Sequence, residues 1–322
     1  MTYIFESGLA HHIEGLIQQK RADGYAYNSE EKLLKRFDTF CVQNYPELTT
    51  VTYEMAAKWS EDRPGEGDAY HNRCMSMVKV LSEYILSLGQ EAYIPNFFCK
   101  AYRPVLYIPS KEEVKELLQK MDIRTSHNSE QFRLDRECKI LFLLYFCCGL
   151  RLSEGRLLKW EHIDLDKGIL TVLGSKGNKD RLVYLPQDSL PVLKNYKERQ
   201  EMLFPGIDWA FPGKDPHKPV SCSGVESSFN RHWAMLPVAR TVDKHPTPHC
   251  LRHAFVVERF NEWMHQGIDT NTMLPYLSRY LGHKSPDETY YYYHLAGKAF
   301  DTIREKDSVS GKVIPEVIPY EE

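Results

Sequence analysis

The sequence lacks a long apolar run and a signal-like beginning. Its longest apolar stretch, Ile140 to Leu150, is interrupted by Gly149 and falls well short of the roughly 20 residues that span a bilayer. The first eight residues carry an acid and no apolar core, unlike a secretory signal. We therefore expect a soluble protein with no membrane partner.

Closely paired cysteines are also missing. None of the eight cysteines forms a C-x-x-C motif, and disulfide frameworks are typical of much shorter secreted chains. Cys147 and Cys148 lie inside the apolar stretch, where they fit small core positions. These features favour a reduced, cytoplasmic setting.

An excess of positive charge is missing as well. The 322 residues carry a formal net charge of −3, with 11 lysines and arginines against 14 acids in residues 1–104 and 30 of each in the remainder. A nucleic-acid-binding function would therefore depend on the local placement of cations and not on net charge.

Helical periodicity dominates the first 92 residues, where Leu9, Ile13 and Leu16 share one face. The segment from Pro95 to Pro109 contains three prolines and little periodicity, which is typical of a linker. We therefore expect a helical domain over residues 1–104.

The pattern changes in residues 105–322. Ser110 and Glu113 have the spacing of a capping box, and residues 133–148 predict a buried helix. Residues 162–186 alternate in polarity and contain glycines, which predicts a small antiparallel sheet. The predicted fold class is mainly α with a small antiparallel β-sheet, in two domains.

Polar motifs that are weak individually follow one another in the second domain. Each has an ordinary explanation, such as a helix boundary, a solvated turn or a structural tyrosine. They are G-L-R-L-S-E at 149–154, G-S-K-G-N-K-D-R at 174–181, P-H-C-L-R-H-A-F at 248–255, L-G-H-K at 281–284 and Y-Y-Y-Y-H at 290–294.

A metal site is one alternative for the third motif, because His249 and His253 are four residues apart. Zinc hydrolases with this spacing place a general-base glutamate directly after the first histidine. Cys250 occupies that position, and no third ligand is evident. We expect no metal and no other cofactor.

The order of the motifs suggests chemistry at phosphorus. Arginines, a lysine and histidines supply hydrogen-bond donors to a phosphorane, and a tyrosine supplies a nucleophile. Over residues 105–305 the motifs resemble the boxes of the tyrosine recombinase (phage integrase) family in their usual order. The resemblance implies a helical, SAM-like core-binding domain followed by a mixed α/β catalytic domain.

The resemblance also implies roles for individual residues. Arg151 and Arg252 would clamp the scissile phosphate, with Glu154 orienting Arg151. His249 and His283 would donate hydrogen bonds to the phosphate and assist proton transfer.

The leaving group and the nucleophile have their own candidates. Lys176 would be the general acid for the 5′ oxygen, with Lys179 as the alternative. In the family, the nucleophile lies a fixed number of residues after the Gly-His box and two residues before a histidine. Both spacings select Tyr292 as nucleophile. The other three tyrosines of the run, 290, 291 and 293, stay open, because a slip of one residue turns the hydroxyl by about 100°.

The family further implies double-stranded DNA recombination sites as substrate and a homotetramer on DNA, with accessory proteins where the system uses them. The chain would act in the cytoplasm, at the nucleoid of a bacterial or phage system, and its segment Val313 to Tyr320 would dock on a neighbouring protomer. Expected phosphate contacts are Lys20, Arg21, Lys32, Lys35, Arg36, Lys179, Arg181 and Lys284.

Three other functions remain as alternatives. A type IB topoisomerase shares the first chemical step, a DNA-binding regulator would bind without cleaving, and a metal-dependent hydrolase would need an ion.

Overall fold

A computed structural model divides the chain into two compact units, Met1–Val105 and Leu106–Glu322. The residues that it describes are 3–61, 65–100, 107–123, 127–175 and 179–292, with the side chains of 175 and 179 excepted. Lys176, Tyr293 and the segment Val313 to Tyr320 therefore lie outside the described residues.

The first unit is helical over its described residues. Its helices are α1 (Ala10–Ala22), α2 (Asn28–Asn44), α3 (Tyr53–Trp59) and α4 (Asp68–Ser87). The predicted face of α1 is buried, with Ile13 and Leu16 at most 1% exposed. These side chains pack with apolar residues of α2, α3 and α4 in one core.

The second unit begins with two helices, which support the site. Helix α5 (Lys111–Lys120) begins at the predicted capping box of Ser110 and Glu113. Helix α6 (Ser129–Cys148) begins four residues earlier than predicted, because the Asn128 side chain accepts hydrogen bonds from the backbone amides of Glu130 and Gln131. It ends at Gly149, whose φ of +63° suits a residue without a Cβ.

A short helix and the small sheet follow. Helix α7 (Leu152–Arg156) leads into β1 (Ile163–Asp164), β2 (Ile169–Ser175) and β3 (Lys179–Tyr184). The strands pair antiparallel in the order β1-β2-β3, with Leu170 opposite Val183. The described residues thus confirm a mainly helical fold with a small antiparallel sheet.

The remaining helices bring the later motifs back onto α6. They are α8 (Leu190–Leu203), α9 (Cys222–Trp233), α10 (His249–His265), α11 (Thr270–Leu281) and α12 (Asp287–Tyr290). Helix α10 packs against α6, and α12 packs against α11. The two polar motifs at the start of α10 and the end of α11 therefore lie near the carboxyl end of α6.

The eight cysteines all lie in the described part of the chain, and none of them is in a disulfide bond. Among the described residues, no helix is both long enough and apolar enough to cross a bilayer.

Candidate active site

Glu154 is the centre of a cluster of arginines. Its Oε1 accepts from Nη1 of Arg151 at 2.8 Å and from Nη1 of Arg181 at 2.9 Å. Its Oε2 accepts from the Arg151 backbone amide at 2.8 Å and from Nη2 of Arg181 at 2.7 Å. The Glu154 side chain is only 5% exposed, so these charge-assisted bonds form where water screens them little.

Arg252 is the most deeply buried member of the cluster, with 1% of its surface exposed. Its Nη1 donates to the carbonyl of Gly149 at 2.6 Å, and its Nη2 donates to the carbonyl of Leu281 at 2.8 Å. Its Nη1 also lies 3.9 Å from Oε2 of Glu154. Burial and the positive charge of Arg151 lower the pKa of Arg252 to about 10.

The glycine turn after α11 brings Arg151 and His283 together. Gly282 has a φ of +66°, and its carbonyl accepts from Nη2 of Arg151 at 2.6 Å. A Cβ at Gly282 would lie 3.2 Å from Nη1 of Arg181 and 3.4 Å from Nη1 of Arg151. Both the backbone conformation and the close approach of the guanidinium groups therefore favour glycine here.

His283 follows this turn and is half-buried. Its Nε2 lies 3.0 Å from Nη2 of Arg252, and its Nδ1 lies 2.7 Å from Oγ1 of Thr289. Because an arginine can only donate, Nε2 accepts and Nδ1 carries the proton. Burial, with the charges of Arg252 and Arg151, lowers the pKa of His283 to about 3, so the ring is neutral near pH 7.

His249 is the first residue of α10 and is exposed. Its ring meets that of His253 edge to face, with centroids 4.7 Å apart. Enough protein surrounds the ring for desolvation, together with the charges of Arg252 and Arg151, to lower its pKa to about 4. His249 is thus a neutral hydrogen-bonding group at the solvent side of the cluster.

Tyr292 differs from the two tyrosines before it. Tyr290 and Tyr291 are 44% and 42% exposed, whereas Tyr292 is 5% exposed. Its hydroxyl lies 2.5 Å from Nδ1 of His253. Burial raises the pKa of Tyr292 to about 12, although the charges of Arg252 and Arg151 act in the opposite direction.

The cluster is built to receive an anion. Three guanidinium groups, those of Arg151, Arg181 and Arg252, share the single carboxylate of Glu154. Among the described residues, the positive charge of these groups exceeds that of the carboxylate in a poorly hydrated place, where a phosphate would gain more from it than in water. The buried phenol of Tyr292 lies within electrostatic reach of Arg252 and Arg151.

The structure brings together six residues that the sequence predicts for the site: Arg151, Glu154, His249, Arg252, His283 and Tyr292. Of the two lysine candidates, Lys176 lies outside the described residues. Lys179 begins β3, and only its backbone is described.

Arg181 is not at a solvated hairpin tip. Its side chain is 9% exposed and binds Glu154 and the carbonyl of Tyr280, and its contact with DNA stays a prediction. The strand alternation explains this, because Val172 opposite Arg181 is buried. The residue therefore faces the cluster.

His253 is a site residue that sequence reasoning missed. The sequence motif suggests a role for it only as the partner of His249 in a metal site. The available signal is the spacing, because a helix that follows Pro248 carries both residues on nearly one face. Within the described residues, no group of three or more His, Cys, Asp or Glu side chains could hold a metal ion.

The other expected phosphate contacts have varied surroundings. In the first unit, Arg21 pairs with Glu31 at 2.7 Å, and Lys35 pairs with the buried Asp38 at 2.8 Å. Arg36 pairs with Glu66. Lys20 is half-buried, and Lys32 is exposed. In the second unit, Lys284 is exposed.

The sequence profile of the phage integrase family matches residues 110–298. The chain belongs to this family, the tyrosine recombinases. The matched segment is more than half of the chain and contains both the Glu154 cluster and Tyr292. The function class is therefore site-specific DNA recombination.

Relatives within the family match most of the chain or more than half of it. The chain is 27% identical to the tyrosine recombinase XerC of Alcanivorax borkumensis over 282 residues, which cover 87% of this chain and 86% of the relative. It is 32% identical to the tyrosine recombinase XerA of Pyrococcus furiosus over 191 residues, which cover 59% and 57% of the two chains.

Solved structures share the fold. The Tn1549 transposon integrase in complex with circular intermediate DNA has a TM-score of 0.64 at 16% identity, covering 91% of this chain and 98% of that one. The XerH recombinase bound to its difH substrate before cleavage has a TM-score of 0.61 at 20% identity, covering 85% and 78%.

Proposed function

We propose that this recombinase cleaves DNA with Tyr292 and forms a 3′-phosphotyrosyl intermediate. The observation that supports this best is the contrast within the tyrosine run. Tyr292 is buried and within electrostatic reach of Arg252, whereas Tyr290 and Tyr291 are exposed. A nucleophile for an anionic centre needs this combination of cations and a dry surrounding.

Arg151 and Arg252 bind the non-bridging oxygens of the scissile phosphate in this proposal. Glu154 holds Arg151 at two points, so the guanidinium is oriented before DNA arrives. Such preorganisation stabilises the charge that develops on the phosphorane without reorganising the protein.

The chemical step exchanges one phosphodiester for another. The phenol oxygen of Tyr292 bonds to phosphorus while the bond from phosphorus to the 5′ oxygen breaks, so no external energy source is required. Lys176, or Lys179 in its place, protonates the departing 5′ oxygen. His249 is neutral near pH 7 because of its lowered pKa, and it accepts the phenolic proton. Both ring nitrogens of His283 are engaged, with Arg252 and Thr289, so His283 assists by holding Arg252 beside the phosphate.

The wider assembly follows the same proposal. Residues 1–104 form the core-binding half of a clamp on DNA, residues 105–322 form the catalytic half, and four protomers join two duplexes. The segment Val313 to Tyr320 docks on a neighbouring protomer. The reaction integrates or excises a mobile element in the cytoplasm, at the nucleoid, with accessory proteins where direction must be chosen.

Single tyrosine substitutions test the nucleophile. The DNA is a duplex selected for binding from a randomised pool and nicked near its cleavage point, so that the covalent adduct accumulates. Tyr292→Phe should abolish the adduct and leave DNA binding unchanged, while Tyr291→Phe and Tyr290→Phe keep it. Loss of the adduct in Tyr291→Phe with retention in Tyr292→Phe would overturn the assignment.

The same experiment separates recombination from its alternatives. A recombinase joins two marked duplexes, whereas a topoisomerase relaxes a supercoiled plasmid without pairing sites. A DNA-binding regulator gives no adduct, and a metal-dependent hydrolase cleaves only without a chelator.

A further inference from the structure

The hydroxyl of Tyr292 has one described partner, Nδ1 of His253 at 2.5 Å. The two rings lie 5.1 Å apart between centroids and are inclined by 38°. His253 is 9% exposed and Tyr292 is 5% exposed, so water does not readily replace either side chain as a partner. The bond is therefore the main polar restraint on the hydroxyl within the described residues.

The two ends of this bond differ in how firmly they are held. His253 lies in the first turns of the 17-residue helix α10, next to Arg252 in sequence and with its ring against that of His249. Tyr292 lies beyond the four-residue helix α12, where its amide donates to Thr289 at 3.1 Å. The imidazole of His253, fixed on a long helix, thus holds the hydroxyl of Tyr292, whose backbone lies in a short turn.

The location of His253 links the tyrosine to the phosphate-binding cluster. Its sequence neighbour Arg252 donates to the carbonyl of Gly149 and to Nε2 of His283. One stretch of α10 therefore fixes both a guanidinium of the cluster and the phenol oxygen. A shift of either group relative to the other would change the line of attack on phosphorus.

We propose that His253 is a positioning residue, which holds the Tyr292 hydroxyl through Nδ1 in the orientation for attack on the phosphate. The proposal rests on Tyr292 as the nucleophile. It concerns a residue that touches the nucleophile and no part of the phosphate clamp.

The ring acts as a neutral acceptor. Burial and the coulombic interactions with His249, Arg252 and His283 lower the pKa of His253 to about 3, and the phenol is protonated because its own pKa is raised to about 12. The neutral ring has one N–H, so a phenol that donates to Nδ1 fixes the proton on Nε2. Orientation of the hydroxyl requires this acceptor and no charge on the ring.

Three substitutions separate positioning from packing. The amide of asparagine occupies nearly the place of Nδ1, whereas the longer glutamine carries its amide near Nε2. His253→Asn therefore retains the acceptor at the site of the observed bond, His253→Gln moves it, and His253→Ala removes it. Asparagine and glutamine are both polar and uncharged, so they form a matched pair.

The measured quantity is the rate of covalent adduct formation with the nicked duplex at saturating protein. His253→Ala and His253→Gln should be slower by about 10²-fold, the loss that a displacement of about 1 Å produces. His253→Asn should recover most of the wild-type rate, and DNA affinity should be the same in all four proteins. An equal loss in the asparagine and glutamine variants, or a wild-type rate in the alanine variant, overturns the proposal.

A second substrate identifies the half-reaction that is affected. In a duplex with a 5′-bridging sulfur at the cleavage point, the leaving group needs no protonation. The defect of His253→Gln should persist on this substrate, because the residue acts on the nucleophile. Recovery of the full rate would place His253 on the leaving-group side and overturn the proposal.

The controls separate failure of this inference from failure of the proposed function. Thermal unfolding of each variant shows whether it is folded. If wild-type adduct forms at another residue, Tyr292 is not the nucleophile and both ideas fail. If the adduct forms at Tyr292 at one rate in wild type, His253→Ala and His253→Gln, only the role of His253 fails.

Discussion

The substitution Glu154→Gln is the sharpest test of the arginine cluster. The amide keeps the shape of the side chain but turns one oxygen into a donor. In the wild-type protein, each carboxylate oxygen accepts one hydrogen bond from Arg151 and one from Arg181. Donors would then face donors, and three guanidinium groups would lie in a buried place without their carboxylate.

The size of the effect follows from the burial of the pair. The side chains of Glu154 and Arg181 are 5% and 9% exposed, and removing one partner of a buried pair costs about 3–5 kcal/mol. For a domain of about 200 residues, each kcal/mol lowers the melting temperature by about 2–4 °C. The second unit should therefore melt on the order of 10 °C lower.

The assay is thermal unfolding of the full chain, monitored by tryptophan fluorescence. Four of the five tryptophans lie in the second unit, so the signal reports mainly on that unit. Asp135→Asn is the matched control, because Asp135 is a carboxylate at 2% exposure that pairs with Arg231 at 2.6 Å. It should lose similar stability.

The two variants should differ in catalysis. At a temperature where both are folded, Glu154→Gln should lose adduct formation because Arg151 is no longer oriented, while Asp135→Asn should cleave at the wild-type rate. An unchanged melting temperature in Glu154→Gln, or equal cleavage by the two variants, would refute the reasoning.

Two further predictions concern pH and backbone. The pKa of His253 is about 3 in the folded chain, below its ordinary value of about 6.5, so the unfolded state takes up the proton first. The contribution of His253 to stability is full above pH 6.5, and about 2 kcal/mol of it should be lost at pH 5, in addition to any loss from other histidines. Denaturant titrations at pH 7 and pH 5 should show a smaller loss in His253→Asn; equal losses would contradict the pKa. Gly282→Ala and Gly267→Ala both place a Cβ at positive φ, +66° and +72°, and each should cost about 1–2 kcal/mol. Only Gly282→Ala should slow adduct formation, since nothing lies within 4 Å of a Cβ at Gly267; equal activity in the two variants would mean that this close approach is unimportant.

Local sequence signals were sufficient for much of the fold. The capping box at Ser110 predicts the start of α5, because it depends on interactions within one turn. The start of α6 was misplaced by four residues, since the cap at Asn128 precedes the apolar run from which the helix was predicted.

The site required more than local signals. The order of the motifs predicts which side chains belong together, but it does not give their partners. The bonds from Arg181 to Glu154 span 27 residues, and the bond from His253 to Tyr292 spans 39. Contacts of this kind depend on how α10, α11 and β3 pack, which no single motif encodes.

The chemical identity of the DNA linkage tests the account most directly. Wild-type protein is incubated with the nicked duplex in the presence of a chelator, digested, and its DNA-bearing peptide is sequenced by mass spectrometry. The account predicts a 3′-phosphate joined to the oxygen of Tyr292. Cut DNA without attached protein, or a linkage through any other residue, would contradict it.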